Sequence, residues 1–175
     1  MIELTGVAQV ADDKACGLWN PGFLSDCPKK IADLFQYWNA RRDGRLMPAR
    51  ADIDPTEMTP HLSGLLLVDV EGVDAAGHGI FRYRVVGTNE VQLRGHDPTG
   101  KLVQDGFLGP SLEDVLACYE TVRRERSFLY DPDAYMTHDG RWRDDCTLFL
   151  PLSEDGATVS QILVYAVTRQ SGSRL

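Results

Sequence analysis

Nowhere does this 175-residue chain hold the ~20 consecutive apolar residues that a membrane-spanning helix needs. Its longest apolar runs, Leu65 to Val68 and Ile162 to Val167, have the length of buried strands. The start, MIELTGVAQVADDKACGLW, lacks the basic opening and apolar core of a secretory signal, so a cytoplasmic location is expected, with no membrane insertion. Basic residues are also scarce. Eighteen Lys and Arg stand against 26 Asp and Glu, a net charge of -8, and they form no stripe. A phosphate backbone would repel such a chain, which argues against nucleic acid as a partner. Cys16, Cys27, Cys118 and Cys146 include no CxxC pair, so buried thiols in a reducing compartment are expected. His61, His78, His96 and His138 are equally scattered, and no residue is assigned to a metal. Repeats and low-complexity tracts are missing too. With 43% hydrophobic and 25% charged residues, the chain reads as one globular domain.

What is present begins with a mixed extension over residues 1 to 27, partly ordered, which Trp19 and Phe23 are placed to pin down. The single domain is expected over 28 to 170. An amphipathic helix is predicted from Pro28 to Arg42, because Ile31, Leu34, Phe35 and Trp38 fall at i, i+3, i+4 and i+7. Three prolines make Arg45 to Pro60 a connector, with one helical turn near Pro55. Strands follow at Gly64 to Glu71 and Ile80 to Val86. In the second, Phe81, Tyr83 and Val85 alternate with Arg82 and Arg84, so the pair reads as a half-buried hairpin. Glycines break Gly87 to Gly109 into short helical turns. A longer helix runs from Pro110 to Arg124, with Leu112, Val115, Leu116, Tyr119 and Val122 in one stripe and Ser111 with Asp114 as its capping box. Asp139-Gly140 and Asp155-Gly156 then divide the last third into strands at Phe128 to Met136, Trp142 to Leu152 and Thr158 to Thr168. Pro132 marks the first of these as an edge or bulged strand. The fold class is α+β.

That order of elements, and a set of local words, resembles a PAS domain, and most closely the fifth PAS profile family, a bacterial group of stand-alone PAS proteins. The words are Trp38 with Ala40-Arg41-Arg42; Met47 to Pro55; Phe81 to Thr88; Gly95-His96-Asp97-Pro98-Thr99-Gly100; and Leu150-Pro151-Leu152. The resemblance spans Ile31 to Thr168. It implies a five-stranded antiparallel sheet, with short helices and one longer helix between strands 2 and 3, plus the N-terminal amphipathic helix. Within the words, Asp97 and Thr99 have the chemistry to hold a tight turn. Arg50, Asp52, Asp54 and Arg84 read as a structural ion-pair set rather than a catalytic one.

By fold analogy, the resemblance implies a sensory or regulatory protein acting in signal transduction, through a small ligand held between sheet and helices, a signalling partner, or both. The candidate pocket residues are Tyr83, Val85, Leu93, Phe107, Leu116, Tyr119, Tyr135, Cys146, Leu148 and Tyr165; the alternative is that they simply fill the core. Buried tyrosine hydroxyls want partners, which favours a polar-edged cavity. The competing function is a ligand-independent dimerisation or adaptor module, in which Ile31, Leu34, Phe35 and Trp38 meet a second copy instead of their own sheet. An enzyme is not expected, and no catalytic residue is assigned. His138, Asp139, Asp144 and Asp145 crowd one hairpin, but no nucleophile elbow or phosphate loop accompanies them. The cofactor is unknown. Flavin photochemistry is disfavoured because Thr88-Asn89-Glu90-Val91-Gln92 carries no cysteine where photosensory PAS domains have one. Haem is disfavoured because the long helix lacks a histidine, leaving His96 as a weak substitute. With few residues after the last strand, signalling is expected through a homodimer or a separate protein.

Overall fold

A computed structural model describes residues 23–168, apart from 133, 134, 137–141 and 144. The elements run α1 (Phe23–Asp26), α2 (Lys29–Arg41), three 3-10 turns (Arg50–Asp52, Pro55–Met58, Leu62–Gly64), β1 (Leu65–Val73), β2 (Gly79–Val86), α3 (Thr88–Arg94), α4 (Val103–Gly106), α5 (Leu112–Glu125), β3 (Leu129–Asp131), β4 (Tyr135–Met136), β5 (Trp142–Arg143), β6 (Asp145–Leu152) and β7 (Gln161–Thr168). Five strands form one antiparallel sheet in the order β2-β1-β7-β6-β3, and β4 pairs with β5 alone. Among the described residues, no helix is long and apolar enough to cross a membrane.

Each face of the sheet carries its own core. On one face α2 lays Ile31, Leu34, Phe35 and Trp38 against Leu65, Leu67, Leu148, Leu150 and Leu163. Burying these four helix side chains contributes on the order of 6–12 kcal/mol before chain entropy is charged against it. Trp38 Nε1 also donates to the Pro151 carbonyl at 3.0 Å, satisfying an indole that is only 1% exposed. Phe23 of α1 stacks into the same core, 5.2 Å edge-on to Phe35 and 5.0 Å from Tyr130. On the other face α5 packs Cys118, Tyr119 and Val122 against Leu66, Val68, Phe81, Phe149 and Val164. Ser111 Oγ accepts from the Asp114 amide at 3.1 Å and starts α5 as its sequence predicts.

Two departures from the sequence expectation concern pairing. The strand expected over Phe128 to Met136 is cut to β3 by Pro132, which cannot donate to the ladder; β4 and β5 then form a separate pair. In β2 the register slips, because Leu67 pairs with Val85 while Val68 pairs with Tyr83, leaving Arg84 as an extra residue. This bulge reverses the faces of the residues beyond it. The outer edge of β2 is not left bare. Tyr83 exchanges bonds with the Gly100-Lys101 segment, and Arg82 Nη1 donates to Gly100 O at 2.7 Å.

Arg50, Asp52, Asp54 and Arg84 do not assemble into one set. Asp52 holds Arg45 at 2.7 Å, Asp54 accepts from the Thr56 amide, Arg50 donates to Ile53 O, and Arg84 reaches only Asp69 at 4.0 Å. Arg50, Asp52 and Asp54 each hold their own turn, while Arg84 reaches across from β2 to β1. Thr99 donates to Asp97 Oδ1 from both its amide and its hydroxyl, closing the Gly95–Gly100 turn. Cys118 is disulfide-bonded, which corrects the expectation that it is a thiol.

Candidate functional site

Between α3, α5 and the α5-side face of the sheet lies a cavity of about 890 Å³, roofed by Phe107 to Pro110. That volume falls within the range of small-molecule sites. Its floor is apolar where Leu66, Val164 and Phe149 meet, and carries Thr147 and Ala166 further along β6 and β7. These residues share a face because Thr147 pairs with Ala166, and Phe149 with Val164.

The wall opposite α5 is α3, and its position follows from one residue. Gly87 ends β2, and a Cβ there would stand 2.4 Å from Ser63 O and 2.6 Å from Leu62 O. Only glycine lets the chain pass this close to the neighbouring turn. From that start, Glu90 and Arg94 fall at i and i+4 on the side of α3 that lines the cavity. Arg94 Nη1 lies 2.6 Å from Glu90 Oε2, and the two side chains are 5% and 11% exposed. Nη1 also donates to Glu90 O at 3.1 Å and Nε to Gly106 O at 3.3 Å, so the guanidinium ties α3 to α4. Burial works against the guanidinium charge, but Glu90 outweighs it and holds Arg94 above its ordinary value.

Two tyrosines complete this end. The Arg94 Cζ stands 5.8 Å from the Tyr83 ring centroid. Burial raises the Tyr83 phenol and the nearby Arg94 pulls it part of the way back. Tyr119 is 1% exposed, and burial pushes its phenol well above the usual range, so its hydroxyl stays protonated.

The sequence-derived pocket set divides by face. Tyr83, Leu93, Phe107 and Tyr119 line the cavity. Tyr165 also borders it, but its ring belongs to the α2-side core and stands edge-on to His61 at 5.2 Å. Leu116 packs against the α5-side core without lining the cavity. Cys146 and Leu148 are fully buried beneath α2, on the opposite face of the sheet. Val85 pairs with Leu67 on that opposite face too, and is 53% exposed; the Arg84 bulge turned it away from Tyr83. The side chain of Tyr135 lies outside the described residues, as do His138, Asp139 and Asp144. The stripe Ile31, Leu34, Phe35 and Trp38 is no more than 5% exposed and is consumed by its own sheet, so it does not form a partner face. Glu90, Arg94, Phe149 and Val164 were missed. The i,i+4 acid–base spacing of Glu90 and Arg94 was the available signal, since it marks a helix face across a stretch read only as broken turns.

A family model described as a PAS domain matches residues 28–165. Similar solved structures include the PAS domain of Bordetella pertussis BvgS, at 15% identity and TM-score 0.49, covering 67% of this chain and 89% of that one. A Rhodobacter sphaeroides LOV protein has 10% identity and TM-score 0.43, covering 63% of this chain and 62% of that one. The Erythrobacter litoralis EL346 blue-light activated histidine kinase has 15% identity and TM-score 0.43, covering 63% of this chain and 34% of that one. This chain therefore spans less than two thirds of the last two proteins. No curated protein matches it.

Proposed function

The chain belongs to the PAS domain family, and from that premise we propose that it is a sensory protein whose signal is a small molecule bound in the cavity between α3, α5 and the sheet. PAS domains are generally sensory and regulatory modules. The observation that carries the ligand reading is the cavity of about 890 Å³ itself, lined by the buried Glu90–Arg94 ion pair and by the buried Tyr83 and Tyr119. A cavity that merely marked imperfect packing would be lined by apolar atoms alone.

The output is a change in how another protein, or a second copy of this one, docks on the domain. Arg94 bonds Gly106, so a ligand touching the ion pair bears on both α3 and α4, two of the three helices between β2 and β3. Binding shifts the domain only by the difference in ligand affinity between its two states. The role is non-catalytic. Glu90 and Arg94 neutralise each other, and no histidine lines the cavity among the described residues. A ligand-independent dimerisation module loses its motivating surface, since the α2 stripe is buried.

Native mass spectrometry of the freshly purified protein tests the reading, with the variant Ala166→Phe alongside. Ala166 lines the cavity floor, so the larger side chain fills the space. A stoichiometric mass that leaves on denaturation, present on the parent protein and lost from Ala166→Phe, is the expected result. A bare-mass dimer whose small-molecule binding profile is identical for both proteins would refute it.

A further inference from the structure

At the polar end of the cavity, among the described residues, the one buried cation has its Nη1 and Nε donors committed. Arg94 uses Nη1 on Glu90 O and Oε2 and Nε on Gly106 O, and Tyr83 is its fourth partner. Glu90 is different. Its Oε2 takes Arg94, while its Oε1 accepts no hydrogen bond among the described residues, although the residue is 8% exposed and lines the cavity. The buried Tyr119 lines the same cavity. An anionic ligand would bring its charge to a carboxylate oxygen, beside a guanidinium already paired with that carboxylate.

We propose that the cavity selects a ring-containing ligand carrying a cationic N–H donor such as an ammonium group, which binds Glu90 Oε1, and that it disfavours carboxylates and phosphates. This rests on the ligand-cavity reading above and adds the chemical class. The ring lies on the apolar floor of Leu66, Val164 and Phe149, where flat aromatic bodies bury area efficiently. The donor points at Glu90, and the Tyr119 hydroxyl takes a second polar group of the ligand, as donor or acceptor. The class excludes a nucleotide whose phosphate would have to sit at this end. It matches the acid–base balance of the site rather than its size.

Three probes that share one ring system separate charge from shape: tryptamine, 3-methylindole and indole-3-acetate. Each is titrated into the whole protein by protein-observed NMR, reading both the Kd and which amides shift. Tryptamine is expected to bind tightest, with indole-3-acetate at least about tenfold weaker, the scale of one hydrogen bond to a charged group. The isosteric variant Glu90→Gln should bring the two within about twofold. The amides of Glu90 and Gly106 should shift with every bound probe. Equal or tighter binding of indole-3-acetate, or a preference that survives Glu90→Gln, overturns the donor assignment and leaves the cavity reading standing. Failure of all three to shift any cavity-lining amide at millimolar concentration overturns the cavity reading, and this inference with it.

Discussion

Replacing Gly87 by Ala tests whether one close approach places the whole α3 wall. Gly87 has φ -62 and ψ 153, which any residue adopts, so the substitution carries no backbone strain of its own. Its only new cost is the methyl group. That carbon would sit 2.4 Å from Ser63 O and 2.6 Å from Leu62 O, against an ordinary contact of 3.4 Å or more. Both obstacles are main-chain atoms and cannot rotate away, so α3 must move off the Leu62–Gly64 turn by roughly 1 Å to restore contact distance. Overpacking of this kind costs about 1–3 kcal/mol. At about 2–4 °C per kcal/mol for a domain of this size, Tm should fall by roughly 2–12 °C. The movement carries Glu90 and Arg94 with it, so the amides of Thr88–Arg94 and of Gly106 should shift in the NMR spectrum, while those of α2 stay in place. Gly95→Ala is the control. Gly95 has φ 72 and open space around its Cβ position, so that variant bears left-handed strain of about 1–2 kcal/mol without displacing α3. A Gly87→Ala protein that melts within 1 °C of the parent, with unshifted α3 amides, would refute the claim that glycine sets this wall.

Trp38→Phe should lower stability by about 2–4 kcal/mol in urea unfolding, because it removes buried ring area and leaves the Pro151 carbonyl without its donor; a loss under about 0.5 kcal/mol would remove the indole from the account of that core. Arg94→Met should cost about 3–5 kcal/mol by stranding the Glu90 carboxylate, and Glu90→Gln in the same protein should restore part of it. Additive losses in that double-mutant cycle would mean the pair is not coupled. Asp155 accepts from the Ala157 and Thr158 amides and from the Ser153 and Thr158 hydroxyls, which hold its carboxyl far below the ordinary 3.8. A depressed folded-state value means that its contribution is fully present above the unfolded pKa and fades as pH falls below it. The gap in urea midpoint between the parent and Asp155→Ala should therefore be widest near neutrality and shrink steadily below about pH 4. A gap that does not change with pH would mean the turn gains nothing from the charged form.

The hairpins, the α5 stripe and the α+β order were legible because each is a local pattern. The site was legible only in part, and the reason lies in β6 and β7. Cys146 to Leu152 is apolar on both faces, since α2 covers the even-numbered residues and α5 with the cavity faces Thr147 and Phe149. Strands buried on both sides lose the alternation that tells inside from outside. Choosing Cys146, Leu148 and Tyr165 thus picked a consistent face of the paired strands, because Leu148 does pair with Tyr165, but the face beneath α2. Val85 failed for a different reason, as no composition signal marks Arg84 as the extra residue of a bulge. The same bulge keeps Tyr83 on the cavity side and brings Val86 back to it opposite Leu66. In a strand of the same residues without the bulge, Tyr83 and Val85 would share one face and Val86 would lie on the other. The bulge is therefore part of how the site is built, and the loss of strand alternation that hid it from the sequence is the same feature that lets one sheet carry a core on one side and a cavity on the other.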